Sequence, residues 1–166
     1  MERQLSIVRH GKSSWDDEAL ADLDRPLAKR GIRNAGEMAL RMKERAMVPD
    51  LILSSPANRA LSTARLMMLE WELDSVHLQV HEALYMARIP DIEKVIASVS
   101  SEIRHLAIFG HNPSFTLFAN CFLPTPLDNL PTAGVVSLKL GAESWAEVRS
   151  APVLESLVDY PKKKYY

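Results

Sequence analysis

Short apolar runs alternate along the chain with longer segments in which apolar residues recur at helical spacing. The apolar runs predict strands over residues 5–8, 51–53, 78–80, 106–109, 135–140 and about 154–158. The last two are expected to lie nearer an edge of the sheet. Strands that alternate with helices indicate an α/β fold with a largely parallel sheet.

The helical spacing predicts helices over residues 31–46 and 56–72, a third opened by Pro90-Asp91 and reaching Val99, and a fourth after Pro113. The fourth is apolar on nearly all sides, so it is expected to be buried, with Cys121 as simple core packing. Methionines 38, 42, 67 and 68 fall in the apolar stripes and are also expected in the core. No linker or repeat interrupts the pattern, so residues 1–166 are expected to form one domain that ends in a solvated tail at 162–166.

Composition and charge narrow the classes of partner. The chain has 166 residues, of which 20 are basic and 21 acidic, for a net charge of −1. This balance argues against nucleic-acid and membrane-surface binding, which usually need a basic excess. A single cysteine excludes an intramolecular disulfide, and the sequence carries neither a signal-peptide pattern nor an apolar run of the roughly 18 residues that a membrane span needs. We therefore expect a cytoplasmic protein.

Polar residues that could carry chemistry follow four of the predicted strands. The segments are Arg9-His10-Gly11-Lys12, Ser54-Ser55-Pro56 with Arg59 beyond it, His81-Glu82, and Gly110-His111-Asn112-Pro113. In open α/β sheets, ligands bind beyond the carboxyl ends of the strands. The side chains of Arg9, His10, Arg59, Glu82 and His111 are therefore expected to meet at one rim.

Two of these segments also begin helices. With Ser55 as cap and Pro56 as the first helical residue, Arg59 falls in the first turn, where a cation is unfavourable by about 0.3–1 kcal/mol unless an anion lies nearby. Asn112 and Pro113 could open the next helix in the same way, and its first backbone N–H groups would add to an anion site. Together with the basic side chains, this pattern favours a phosphate site.

Three motifs resemble the histidine phosphatase superfamily, which has the phosphoglycerate-mutase-like fold. They are Arg9-His10-Gly11, the run Ser54-Ser55-Pro56-x-x-Arg59-Ala60-x-x-Thr63-Ala64, and Gly110-His111-Asn112-Pro113. Residues 8–15, 24–27 and 129–134 are more closely similar to its small SixA-like phosphohistidine phosphatases. The resemblance implies a three-layer α/β/α sandwich. Ala28 departs from it, because the family more often has a helix-capping Thr, Ser or Asn there, and losing such a cap costs about 1 kcal/mol.

The resemblance also implies a role for each site residue. His10 would be the nucleophile, neutral at its attacking nitrogen, with the other ring nitrogen held by the Gly11 carbonyl. The phosphate would be bound by Arg9, Arg59 and a protonated His111. Glu82 would act as general acid and base, with Asp16, Asp17 and Asp91 as rival carboxylates.

Lys12 and Arg25 are possible substrate contacts, although Arg25 could instead form an ion pair with Asp22 or Asp24. His77 and His105 lie outside the set of strand-end residues and are expected at the surface.

The predicted function is hydrolysis of a phosphoryl group through a phosphohistidine intermediate. The substrate would be a phosphohistidine protein or a small phosphorylated metabolite, and no cofactor is implied. One alternative is a phosphoglycerate mutase, although mutases generally carry longer inserts that cover the site. A non-catalytic phosphate-binding module is another. A metallohydrolase built on His10 and His111 is disfavoured, because the sequence has no HxxxH or HxH pair. The sequence does not indicate the oligomeric state.

Overall fold

The computed structural model describes residues 1–163, so residues 164–166 of the expected C-terminal tail lie outside it. Six strands are present: β1 (Glu2–Arg9), β2 (Leu51–Ser54), β3 (Leu78–Val80), β4 (His105–Gly110), β5 (Val135–Gly141) and β6 (Val153–Asp159). The α-helices are α1 (Lys29–Glu44), α2 (Asn58–Trp71), α3 (Ile89–Ala97) and α4 (Ser114–Asn120). Short 3-10 helices cover Asp22–Asp24, Ser75–His77, Glu82–Leu84 and Trp145–Ser150.

The six strands form one sheet in the order β3-β2-β4-β1-β5-β6. The first four strands of that order are parallel, whereas β5 and β6 are antiparallel to their neighbours. This confirms the largely parallel sheet, with β6 at an edge and β5 one strand further in. Arg9 pairs with Gly110 and Ser54 with Phe109, so β1, β2 and β4 end at the same edge of the sheet.

Helices cover both faces of the sheet, which confirms the three-layer α/β/α architecture. One core contains Leu5, Ile7 and Ile108 and is closed by α3 and α4. The other contains Val8 and Ile52 and is closed by α1 and α2. Because the central strands are buried on both faces, they read as continuous apolar runs. The four methionines predicted in the core are buried. None of the helices within residues 1–163 has the length and apolar character needed to cross a bilayer.

The two longest helices begin at positions other than those predicted. Helix α1 starts two residues earlier, and Ala28 caps it without a side-chain hydrogen bond, as its departure from the family pattern implies. Helix α2 starts at Asn58 rather than Pro56, so Ser55 is not its N-cap. Ser55 Oγ instead accepts from the Ala57 amide and also bonds the ring of His111. Arg59 nevertheless lies in the first turn of α2.

Two predictions of burial are wrong, and a third holds in part. Helix α4 buries five of its seven residues, but Leu117 on its outer side is 54% exposed. Cys121 is exposed rather than in the core, since it follows the last residue of α4 on the same side as Leu117. His105 is buried rather than at the surface, because its Nε2 lies 2.8 Å from Ser6 Oγ on the adjacent strand. Pairing between strands supplies this polar partner.

Candidate active site

His10 directly follows β1 and is held by the backbone on both sides. Its amide donates to the Gly110 carbonyl at 3.1 Å, and its carbonyl accepts from the Ala133 amide at 3.0 Å. The ring Nδ1 lies 2.7 Å from the Gly11 carbonyl oxygen, as predicted. Because a carbonyl oxygen can only accept, Nδ1 carries the proton and Nε2 keeps its lone pair. The ring is therefore held with an unprotonated Nε2, as the predicted nucleophile requires.

The surroundings of His10 keep its ring neutral. Burial lowers the pKa of His10 to about 4, and the nearby charges of Arg59, Arg9 and Arg25 act in the same direction. The hydrogen bond to Gly11 opposes these effects in part. At pH 7 the unprotonated ring is thus the dominant form, even though three arginines lie nearby.

The turn after His10 is packed tightly against two helices. The Gly11 amide donates to Thr63 Oγ1 at 3.0 Å, and that hydroxyl donates to the Arg59 carbonyl at 2.7 Å, which joins the turn to α2. On the other side, a Cβ atom at Gly31 would lie 2.3 Å from the Lys12 carbonyl oxygen. Only glycine permits this close approach, so Gly31 allows the start of α1 to pack against the turn after His10.

His111 lies beside His10, with the two ring centroids 5.1 Å apart. Its Nε2 is 2.8 Å from Ser55 Oγ. Since Ser55 Oγ already accepts from the Ala57 amide, its hydroxyl proton is available to the His111 Nε2 lone pair. In the tautomer in which Ser55 donates to Nε2, the His111 proton resides on Nδ1, which is buried and has no hydrogen-bond partner within residues 1–163. That tautomer presents an unused N–H donor in the site.

The charge state of His111 differs from the one expected. Burial lowers the pKa of His111 to about 3, and the charges of His10 and Arg59 contribute. In this structure His111 is therefore a neutral donor rather than a cation. The start of α4 also has fewer free N–H groups for an anion than expected. The Phe115 amide donates to the His111 carbonyl, and the Thr116 amide donates to Asn112 Oδ1.

Arg9 and Arg59 both point their side chains into this region. Arg9 Nη1 donates to the Leu130 carbonyl at 2.8 Å, whereas its Nε is buried without a partner among the described residues. Burial lowers the pKa of Arg9. Arg59 is buried and donates from Nη1 to the Asp22 carbonyl at 2.7 Å and from Nη2 to Asp22 Oδ2 at 3.0 Å. The anion that offsets the cation in the first turn of α2 is therefore Asp22.

Asp22 belongs to the site, although the sequence did not predict it as a site residue. Its Oδ1 accepts from Arg25 Nη1 at 3.0 Å, and its Oδ2 accepts from Arg59 and from the Tyr85 hydroxyl, the latter at 2.6 Å. The Tyr85 hydrogen bond, together with Arg59, lowers the pKa of Asp22 to about 2. Tyr85 in turn lies edge-on to His111, with ring centroids 5.6 Å apart. The available signal was that Asp22 lies three residues before Arg25 and is one of its two possible ion-pair partners.

Of the two possible substrate contacts, only Arg25 joins this network. It is buried, and of its two alternative partners it pairs with Asp22. It also bonds Ser13 Oγ, and its guanidinium group stacks 3.2 Å from the ring centroid of Trp15. The Lys12 side chain is exposed, and its backbone carbonyl accepts from the Ala28 amide. A substrate contact by Lys12 stays a prediction.

A cavity of about 630 Å³ opens beside His111. Its walls are formed by Asp22, Arg59, Tyr85, Met86, Ala87, His111, Asn112, Pro113 and Ser114. Glu82 begins the 3-10 helix that Tyr85 follows, but it is exposed and is not part of these walls. The structure thus brings together Arg9, His10, Arg59 and His111, while a catalytic role for Glu82 stays a prediction.

The sequence model of the histidine phosphatase superfamily (branch 1) matches residues 5–85, which include His10 and Arg59. An uncharacterized chloroplastic protein of Arabidopsis thaliana is 30% identical over 154 residues, which cover 87% of this chain and 70% of that protein. The chain belongs to the histidine phosphatase superfamily.

Solved histidine phosphatase structures have the same fold as this chain. A structure from Nakamurella multipartitia assigned as the phosphohistidine phosphatase SixA superposes with a TM-score of 0.84 at 21% identity, covering 98% of each chain. The protein histidine phosphatase SixA in complex with tungstate superposes with a TM-score of 0.78 at 22% identity, covering 95% of this chain and 97% of that one. The match spans the whole sandwich, including the antiparallel strands β5 and β6.

The buried histidines of this histidine phosphatase predict a loss of stability in mild acid. The pKa values of His10 and His105 are lowered to about 4 and that of His111 to about 3, whereas an unfolded histidine titrates near 6.5. The unfolded chain therefore binds more protons, and the free energy of unfolding should fall as the pH drops from about 6.5 toward about 4. By pH 5 the loss should be about 1–2 kcal/mol for each histidine.

Urea unfolding at pH 7 and pH 5 measures this difference. His105 lies at the opposite end of the sheet from the site. His105→Gln should reduce the number of protons taken up on unfolding by about one, and the pH dependence should weaken accordingly. An unfolding free energy that stays constant between pH 7 and pH 5 would contradict the prediction.

Proposed function

We propose that this protein is a phosphatase that forms a covalent phosphohistidine on His10 Nε2 and then hydrolyses it. The observation that carries the proposal is the 2.7 Å hydrogen bond from His10 Nδ1 to the Gly11 carbonyl, which leaves Nε2 unprotonated and free. The low pKa of His10, about 4, supports the same assignment, because a protonated ring could not attack phosphorus. The proposed substrates are a phosphohistidine protein or a small phosphomonoester.

Three side chains would hold the phosphoryl group: Arg9, Arg59 and His111. Two of them carry buried nitrogens without a hydrogen-bond partner within residues 1–163, namely Arg9 Nε and His111 Nδ1. A buried donor that is left unpaired costs about 1–3 kcal/mol. An acceptor oxygen brought against these nitrogens would relieve that cost. The unpaired donors therefore favour an anionic ligand.

The reaction would proceed in two steps. His10 Nε2 attacks phosphorus, the bond from phosphorus to the leaving oxygen or nitrogen breaks, and the leaving group takes a proton. Water then attacks the phosphorus of phospho-His10 and gives up a proton to a base, which releases orthophosphate and restores neutral His10. Arg9 and Arg59 would stabilise the charge on the non-bridging oxygens in both steps.

Hydrolysis is favoured over transfer between positions of a phosphoglycerate. Helix α2 follows β2 almost directly and a single 3-10 turn leads from it to β3, so this connection contains no insertion that could cover the cavity. The lack of an insertion in this connection favours access of water and of protein-borne phosphate to the cavity. The similarity to the protein histidine phosphatase SixA supports the same choice.

A substrate panel tests the proposal. Wild-type protein should release orthophosphate from a phosphohistidine-bearing protein, from p-nitrophenyl phosphate, or from both. It should not move phosphate between the 2 and 3 positions of phosphoglycerate. Phosphate transfer without release would contradict hydrolysis, and binding of phosphate without turnover of any substrate would indicate a non-catalytic module.

Glu82→Gln tests the proposed proton donor. If Glu82 protonates the leaving group, kcat/KM should fall by about 10²-fold or more for phenyl phosphate, a poor leaving group. The loss should be below about tenfold for p-nitrophenyl phosphate, which leaves without help. The same comparison in Asp91→Asn tests one of the rival carboxylates, which accepts a hydrogen bond from the Arg88 amide. Equal losses with both substrates would assign the proton transfer to another group.

A further inference from the structure

Asp22 holds an unusual position for a carboxylate in a site that binds phosphate. It lies in a one-turn 3-10 helix, yet its carboxylate accepts hydrogen bonds from Arg25, Arg59 and Tyr85. Its side chain is nevertheless 50% exposed. The network thus fixes the carboxylate in place while part of it still faces solvent.

The exposed part of Asp22 faces the cavity beside His111. Among the described residues that form the cavity walls, Asp22 alone carries a carboxylate and Arg59 alone a positive charge. Tyr85, which donates its hydroxyl proton to Asp22, has a raised pKa and stays neutral. Once a phosphoryl group engages Arg59, Arg25 remains paired with Asp22 from behind the wall, and the Asp22 carboxylate is the anionic group that faces the cavity.

We propose that Asp22 is a specificity-determining residue that favours substrates whose leaving group carries a positive charge or an N–H donor and disfavours those with a second anion. The inference rests on the proposed phosphatase function, since it concerns the group that leaves when His10 is phosphorylated. The Asp22 Oδ1 atom accepts one hydrogen bond, from Arg25, and so can accept another. It is this oxygen that we assign to the leaving group.

A second role for Asp22 makes a different prediction. Its carbonyl and Oδ2 occupy Nη1 and Nη2 of Arg59, so Asp22 also orients that guanidinium. If orientation were its whole contribution, losing the charge would slow every substrate by the same factor. Charge selection instead changes the ratio between substrates of opposite charge, and the two roles are separable by that ratio.

The experiment compares p-(aminomethyl)phenyl phosphate with p-(carboxymethyl)phenyl phosphate, which differ in the charge of the leaving group. The measured quantity is the ratio of their kcat/KM values, in wild type and in Asp22→Asn. A unit charge within about 6 Å of a carboxylate, at an effective dielectric constant of about 40, changes a rate constant by about tenfold. We expect Asp22→Asn to lower the ratio of cationic to anionic substrate by about tenfold or more.

Asp24→Asn is the matched control, because Asp24 lies in the same 3-10 helix but is not part of the cavity walls. It should leave the ratio at the wild-type value. If Asp22→Asn turns over too slowly, the ratio of dissociation constants for the two matching phosphonates replaces the kinetic ratio. An unchanged ratio in Asp22→Asn would overturn the inference. His10→Ala that is as active as wild type would instead overturn the proposed function, so the two failures are distinguishable.

Discussion

Replacing His10 with alanine is expected to lower kcat by about 10⁴-fold or more, because the proposed mechanism has no other nucleophile to accept the phosphoryl group. The substitution removes one side-chain hydrogen bond, from Nδ1 to the Gly11 carbonyl, while the backbone bonds to Gly110 and Ala133 are kept. The variant should therefore fold. Steady-state release of orthophosphate from p-nitrophenyl phosphate measures the loss, and circular dichroism checks the fold.

His77→Ala is a matched control for this variant. His77 lies just before β3, at the end of the sheet opposite the site, where its ring bonds the Asp50 carbonyl. Its loss should change kcat by less than about threefold, as expected for a site far from the chemistry. Comparable activity in His10→Ala and His77→Ala would remove His10 from the mechanism.

Replacing Arg59 with alanine is expected to lower kcat/KM by about 10³-fold. Arg59 is buried beside His10 and His111, so a charge-assisted bond from it to a phosphoryl oxygen would form with little competition from water. Arg59→Lys should recover little of the loss, because a lysine ammonium cannot reproduce the planar fork that Asp22 holds at both Nη atoms.

Arg65→Ala provides the control on the same helix. Arg65 lies on α2 and borders a separate surface groove between α1 and α2. Its removal lowers the net charge of the protein by the same amount as the removal of Arg59. If Arg65→Ala and Arg59→Ala reduce kcat/KM equally, the loss arises from the overall electrostatic field of the protein rather than from a contact with the phosphoryl group.

Much of the site could be predicted from the sequence because it depends on local order. Buried parallel strands have a simple apolar signature, and their carboxyl ends meet at one edge. That rule is enough to gather Arg9, His10, Arg59 and His111, and the structure brings them together. The hydrogen bond between His10 and the Gly11 carbonyl could be predicted for the same reason, since the two residues are adjacent.

Asp22 could not be predicted in the same way. It lies in the irregular segment between β1 and α1, where neither strand nor helix periodicity applies. Its partners Arg59 and Tyr85 are 37 and 63 residues away along the chain. The lowered pKa of His111 could not be predicted for a related reason: the sequence shows a histidine among cations, but only the fold shows how deeply its ring is buried. Contacts between residues far apart in the sequence determine both the position of Asp22 and the pKa of His111.

The burial of His105 and the exposure of Cys121 show the same limit on a smaller scale. His105 is buried because Ser6 on the neighbouring strand supplies a hydrogen-bond partner, which depends on strand register. Cys121 is exposed because it lies on the same side as the exposed Leu117, whereas its neighbour Phe122 faces the core. Apolar neighbours in sequence do not show which side of a helix end a residue lies on.

The most direct test of the central claim is to trap the phosphorylated enzyme. Wild-type protein mixed with substrate and quenched within one turnover should carry one acid-labile, base-stable phosphoryl group, and peptide mapping should locate it on His10. The phosphoenzyme should form at least as fast as turnover, and it should be absent from His10→Ala. Turnover without any phosphoenzyme, or a phosphoryl group on a residue other than His10, would contradict the account.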